Sequence, residues 1–202
     1  MTPRVEFHFD FGSPNAYLSH RVIPAVAGRT GAPFKYVPVL LGGVFKLTNN
    51  EPPMVQFKGI RNKAEYARLE TARFIKRHAI AAFRPNPHFP VNTMQIMRGA
   101  VLAERDGFFE PYVACIFRAM WEEEKKMDDV DVIKTTLTDA GLDADRVMAG
   151  IQEQAVKDRL MANTAASVNR GNFGSPTFFV GDEMYFGKDR LDDVERAIGE
   201  AG

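Results

Sequence analysis

Hydrophobic and polar positions change period several times along the chain, and the changes mark out its elements. Val5 to Asp10 alternates apolar and polar side chains ahead of the aromatics Phe9 and Phe11, the pattern of a strand in a mixed sheet. Leu18, Val22 and Val26 then recur at helical spacing, with Pro24 inside the pattern expected to kink or split the helix, which ends near Gly28 or Gly31. Phe34 to Val39 reads as a second strand, and the intervening helix is long enough for a right-handed parallel crossover.

From Leu41 the composition shifts. Gly42-Gly43 and the run Thr48 to Pro53 form a turn-rich stretch, where an inserted segment is expected to begin. Ile60, Ala64, Ala67, Thr71 and Phe74 then share one helical face, with basic residues mostly outside it. Residues 83–93 carry Pro85, Pro87 and Pro90, so they form a stiff loop whose Asn92 or Thr93 can cap the helix that follows. That helix presents Ile96, Met97, Ala100 and Val101 and stops at Gly107; Tyr112, Val113, Ile116, Phe117, Met120 and Trp121 make the next amphipathic stripe. Three more helices are expected over Asp131–Ala140, Asp143–Ile151 and Glu153–Asn169, ended by Gly171. The insertion is thus helical throughout.

Beyond Pro176 the period returns to that of strands, over Thr177–Val180 and Met184–Phe186 with a turn at Gly181-Asp182. Asp189 is placed to cap a last helix with Leu191, Val194 and Ile198 inward and Gly199 at its end. The expected division is a discontinuous domain of residues 1–40 and 170–202, with an inserted helical domain of 41–169.

Composition narrows the function classes. At 202 residues and 45% hydrophobic content the chain can bury a full core. Twenty-six basic and 26 acidic residues balance to +0, so no overall field draws the chain to nucleic acid or an anionic membrane. The basic helix near residues 61–77 is interrupted by Glu65 and Glu70 and reads as a solvated face. Cys115 is the one cysteine, set among apolar neighbours as a buried structural thiol; intrachain disulfides are excluded and a reducing compartment fits. No stretch approaches the length of a membrane span, and the strand-like start leaves no room for a signal segment, so the expected location is the cytoplasm, or a soluble organelle lumen in a eukaryote. The four histidines show no metal-ligand spacing, and no metal site is expected.

Candidate chemistry sits where the first strand meets the first helix, at Phe9-Asp10-Phe11-Gly12-Ser13-Pro14-Asn15-Ala16-Tyr17. Pro14 suits the first helical position and Ser13 the N-cap, and a helix N-terminus aims unpaired N–H groups and positive potential at one point. Ser13 can be a cap, an activator of a bound thiolate, or both, since a hydroxyl accepts and donates at once. Late in the chain, Gly174-Ser175-Pro176-Thr177 puts a proline immediately before a strand, at one of the few places where a cis peptide is common.

Taken together, the Phe-Asp-Phe-x-Ser-Pro start, the Gly-x-Pro-Thr segment and the late Gly187-Lys188-Asp189-Arg190 resemble the 2-hydroxychromene-2-carboxylate isomerase family, relatives of kappa-class glutathione transferases, over essentially the whole chain. The resemblance implies an α/β thioredoxin-like fold with a large all-helical insertion, and glutathione as cofactor. Ser13-Pro14-Asn15-Ala16 lies where thioredoxin-like oxidoreductases carry Cys-Pro-x-Cys, and both cysteines are absent. By resemblance, Ser13 is the catalytic activator of the thiolate, and Ser175 beside Pro176 pairs its backbone with the cysteine of glutathione. Lys188 and Asp189 hold the γ-glutamyl end, with Asp189 also a candidate cap and Lys188 able to serve through its backbone N–H. Asn50 and Lys58 correspond to residues that the family uses around glutathione; Asn92 lines the second substrate's pocket or caps a helix.

The activity implied is cis-trans isomerisation of 2-hydroxychromene-2-carboxylate, or of a related aromatic ring compound, to the trans benzylidenepyruvate by reversible thiolate addition. A kappa-like transferase that consumes glutathione, and a non-catalytic thioredoxin-like binding module, are the alternatives. A dithiol oxidoreductase is nearly ruled out by the missing Cys-x-x-Cys. Resemblance also suggests a homodimer acting in aromatic degradation.

Overall fold

The computed structural model describes residues 3–201. Four strands form one sheet in the order β2-β1-β3-β4. β1 (Val5–Phe9) pairs parallel with β2 (Phe34–Pro38) and antiparallel with β3 (Thr177–Val180), and β4 (Glu183–Phe186) pairs antiparallel with β3. The crossover between β1 and β2 is α1 (Pro14–Thr30). Between β2 and β3 the chain supplies α2 (Leu41–Thr48), α3 (Pro53–Gln56), α4 (Lys63–Arg77), α5 (Met94–Asp106), α6 (Phe109–Trp121), α7 (Val130–Asp139), α8 (Ala144–Gly150) and α9 (Gln154–Asn169). After β4, a 3-10 turn over Lys188–Arg190 leads into α10 (Leu191–Ala201). This is a thioredoxin-like fold carrying a helical insertion between its second and third strands.

The pleat of β1 sorts its side chains by face. Phe7 and Phe9 turn to one side, where Phe9 meets Phe117 of α6 with ring centroids 5.6 Å apart. Glu6, His8 and Asp10 turn to the other, where His8 meets Ser167 of α9. A buried apolar cluster runs through both parts of the chain, joining Phe7, Phe9 and Phe178 of the sheet to Ile96, Phe117, Leu137 and Leu160 of the insertion. At the α5–α6 crossing, a Cβ on Gly99 would stand 1.9 Å from Tyr112 Oη, a hydroxyl that donates to Ile96 O. Only glycine fits there.

Most expected elements are present, and four expectations are corrected. α1 runs unbroken through Pro24, which lies on its exposed side while Val22, Ile23 and Val26 are buried, so packing of the inner face holds the helix across the missing donor. It ends at Gly31 in the left-handed region, φ 69°. The stretch from Leu41 is helical and not a turn: Leu40 N–H donates to Thr164 Oγ1 (2.9 Å) and Leu41 N–H to Asp10 Oδ2 (2.7 Å). A Cβ on Gly43 would sit 3.2 Å from Thr164 Cγ2, so the glycine lets α2 lie close against α9. The apolar face read on α4 is not buried: Phe74 is its one buried residue, and Ile60, Ala64, Tyr66 and Leu69 are exposed. The last helix continues through Gly199 to Ala201. Among the described residues, no helix is long and apolar enough to cross a membrane.

Candidate active site

Ser13 is the N-cap of α1, in extended conformation, and its hydroxyl works in two directions. Oγ accepts from Ala16 N–H (3.1 Å) and donates to the carbonyl of Ser175 (2.8 Å). The Ser13 hydroxyl thereby ties the helix-initiating loop to the loop before β3, 162 positions away. The Ser175–Pro176 peptide is cis. Ser175 Oγ in turn accepts from Asp10 N–H (3.1 Å), and among the described residues nothing accepts from Ser175 N–H. The site therefore presents a hydroxyl, a helix N-terminus and an unpaired backbone N–H side by side.

Asp10 organises the loop from below. It is fully buried, its Oδ1 accepts from Gly12 N–H (2.8 Å), and its Oδ2 accepts from Leu41 N–H (2.7 Å) and Thr93 Oγ1 (3.1 Å). One carboxyl thus ties the turn carrying Ser13 to the starts of α2 and α5. Burial pushes its pKa up, and the three donors oppose that shift without cancelling it. Trp121 Nε1 donates to Phe11 O (2.8 Å) and fixes the same turn from α6.

Of the other sequence-derived candidates, Asn50 and the Lys188-Asp189 turn reach the loop before β3 by short links, whereas Asn92 and Lys58 do not. Asn50 Nδ2 donates to Phe173 O (2.9 Å), two residues before Ser175, while its Oδ1 accepts from Glu51 N–H and Gln56 Nε2. Gly187 N–H donates to Pro176 O (3.0 Å), which brings the Lys188-Asp189 turn beside the same loop. Lys188 is only 4% exposed; its ammonium lies 4.9 Å from the centre of the Phe74 ring and 2.6 Å from Asp189 Oδ1. Asp189 accordingly holds Lys188 and does not cap α10, which corrects the capping expectation: it lies within the 3-10 turn, and Arg190 is the residue that immediately precedes α10. Asn92 is exposed and Oδ1 accepts from Met94 N–H (3.1 Å), so it closes the first turn of α5, next to the Thr93 that reaches Asp10. Lys58 is exposed on the loop between α3 and α4.

Asp10 has no site role in the sequence reading, and Thr93 stands there only as a possible cap of α5. The one local signal for Asp10 is a carboxylate continuing the alternation of β1 among buried aromatics; that Thr93 reaches it is set by tertiary contact. Cys115 is buried, donates to Tyr112 O, and burial pushes its thiol up to about 11, so it is a packing residue.

A four-stranded sheet whose first helix begins opposite the loop before β3 defines a thioredoxin-like protein with a serine at the head of that helix. The DSBA-like thioredoxin domain matches residues 4–199, and the chain belongs to that family. It is similar to the 2-hydroxychromene-2-carboxylate isomerase of Pseudomonas putida, 27% identical over 96% of this chain and 94% of that one. Glutathione S-transferase kappa 1 of Rattus norvegicus is 25% identical over 98% of this chain and 92% of its own. A solved 2-hydroxychromene-2-carboxylate isomerase superposes with a TM-score of 0.82 at 27% identity, covering 98% of this chain and 95% of its own.

Proposed function

We propose that the protein is a glutathione-dependent isomerase that converts 2-hydroxychromene-2-carboxylate, or a related aromatic ring compound, to trans-o-hydroxybenzylidenepyruvate. The observation that carries this reading is the pairing of Ser13 Oγ with Ser175 O at the start of α1, beside a Ser175 N–H that finds no acceptor among the described residues. An extended peptide bearing a thiol fits that donor set, because strand-like pairing needs one free N–H and one carbonyl, and a thiolate needs a donor and a helix N-terminus. Similarity to named isomerases across nearly the full length of both chains supports the same reaction class.

The chemistry that glutathione supplies when bound is reversible thiolate addition to the conjugated ring compound, with the thiol regenerated. Ser13 Oγ–H donates toward the sulfur and, with the N-terminus of α1, favours the charged form over the thiol. Ser175, with Pro176 fixing its following peptide, pairs with the cysteinyl backbone; Asn50 steadies the loop through Phe173 O and contacts the peptide. The Lys188 and Asp189 turn receives the γ-glutamyl end, with Lys188 acting through its backbone because its ammonium is engaged by Asp189. Asn92 borders the ring compound.

The deciding assay follows the absorbance of 2-hydroxychromene-2-carboxylate with and without glutathione. Conversion that requires glutathione and leaves free thiol undiminished is the expected result. Stoichiometric loss of thiol would favour instead a kappa-type transferase, the reading that the rat relative supports. Glutathione binding with no turnover of any electrophile would leave a non-catalytic binding module.

The functional unit is a homodimer in the cytoplasm. Met54 (57% exposed), Ile60 (55%), Tyr66 (57%) and Leu69 (47%) stand exposed on α3, α4 and the loop between them, apolar side chains that a second copy would cover. Sedimentation equilibrium should give twice the 22.6 kDa chain mass, falling to one on Tyr66→Glu with Leu69→Glu; a wild-type monomer would end the dimer reading. A reducing compartment suits a chain whose single thiol is buried.

A further inference from the structure

A second buried polar chain lies on the same face of β1 as Asp10 and leads to the loop before β3 from the opposite end. His8 is 3% exposed; Nε2 lies 3.2 Å from Glu6 Oε2, and Nδ1 lies 2.7 Å from Ser167 Oγ of α9. The same Oγ is 2.7 Å from Asn172 Nδ2. Asn172 is fully buried, and its Oδ1 accepts from Gly174 N–H (2.8 Å) and stands 2.9 Å from Thr177 Oγ1. Gly174 and Thr177 bracket Ser175 and Pro176.

From Gly174 to Glu6 the direction of each bond is set by one group that can only donate; the Thr177 hydroxyl, with one proton, lies within reach of both Asn172 Oδ1 (2.9 Å) and Gly174 O (3.0 Å). Gly174 N–H requires the amide oxygen of Asn172, so the amide nitrogen faces Ser167 and must donate to it. Ser167 Oγ is then an acceptor toward Asn172, and its own proton has one remaining partner, His8 Nδ1. That nitrogen must be bare, which leaves the imidazole proton on Nε2, donated to Glu6. Glu6 also receives Arg170.

We propose that His8, Ser167 and Asn172 are positioning residues for the loop that carries Ser175: the neutral imidazole is the terminal acceptor that keeps the Asn172 amide turned onto Gly174 and Thr177. The inference extends the reading of Ser175 as the backbone that pairs with glutathione. A proton added to His8 Nδ1 reverses its bond to Ser167, strands the Ser167 hydroxyl proton and loosens the amide. The groups that face His8 are Glu6 on its own strand, Lys35 on β2, Arg170 after α9 and the Phe179 ring on β3, whose centroid is 4.8 Å away. Burial is the largest influence and pushes the imidazole below its ordinary 6.5, with Glu6 opposing and Arg170 and Lys35 assisting.

The test is a pH titration of the free protein by NMR, reading the His8 ring and the Gly174 and Ser175 amides. Both amides should shift with the His8 midpoint, and that midpoint should lie below 6.5. In Asn172→Asp the carboxylate accepts from Ser167, whose oxygen then accepts from His8 Nδ1–H, so the His8 midpoint should rise by about one pH unit, a tenfold change in proton affinity. Should that variant not fold, Ser167→Ala serves instead and should uncouple the amides from a His8 that still titrates. Amides that ignore the His8 titration in the wild type, or that still follow it in Ser167→Ala, would overturn the proposal. Calorimetric titration with glutathione should show its Kd rising about tenfold below the His8 midpoint, with kcat at saturating glutathione little changed. A Kd independent of that titration would also overturn it, whereas glutathione that binds at no pH would overturn the functional reading and leave the amide titration to judge the loop.

Discussion

Ser13→Ala is expected to yield a folded protein whose glutathione-dependent turnover is lower by about a hundredfold, the size of effect seen when one donor aimed at developing charge is removed. The substitution deletes three things at once. The first is the cap on Ala16 N–H, worth about 1 kcal/mol of stability. The second is the donor to Ser175 O that holds the two loops together. The third is the proton available to a sulfur. A hydroxyl has one proton, so Ser13 can serve either the Ser175 carbonyl or a thiolate, and a peptide N–H that pairs with Ser175 O would free it for the latter. Thermal melting separates the first two contributions from the third, because a cap and a loop tie contribute to stability without setting the ionisation of a bound thiol. The thiolate absorbance of bound glutathione should appear at higher pH in the variant than in the parent. Turnover within threefold of the parent would remove Ser13 from the chemistry and leave it as a cap.

The second large effect is expected at Asp10, where asparagine preserves shape and removes acceptor capacity. Oδ1 faces Gly12 N–H, while Oδ2 faces Leu41 N–H and the Thr93 hydroxyl. Thr93 can turn its hydroxyl to accept, but the two backbone groups can only donate. Whichever way the new amide is turned, its nitrogen opposes a buried N–H, and a buried donor without a partner costs about 1–3 kcal/mol. The loss falls on the turn that places Ser13, so Asp10→Asn should reduce turnover more than its lowered urea midpoint explains. Asp10→Ala should be worse in both respects, because three donors are then left without acceptors. A variant as stable and active as the parent would show that the turn is held without the carboxylate, through Ser13 N–H to Asp10 O and Trp121 Nε1 to Phe11 O.

Local chemistry determined much of this molecule in advance. Strand and helix periods, with Pro14 and Ser13 at the head of α1, Asp129 and Asp143 capping α7 and α8, and Gly31 and Gly107 in left-handed conformations at helix ends, fix most elements, because each depends on neighbours within one turn. Ser13, Ser175 and Pro176 were legible as candidates for the same reason, each at a junction whose residue types are unusual in themselves; Lys188 was marked only by the family resemblance. What the sequence could not determine is what depends on distant partners. Leu41–Thr48 is helical across Gly42-Gly43 because Thr164 and Asp10 hold the amides of Leu40 and Leu41 at its start, and Gly43 lets α9 lie close. The apolar positions of α4 satisfy helical periodicity and yet face outward, since periodicity reports a face and not what covers it. Asp10 reaches Thr93 across 83 positions and His8 reaches Ser167 across 159. A buried polar side chain gains its meaning from the donors that meet it, and only the tertiary structure brought those donors together.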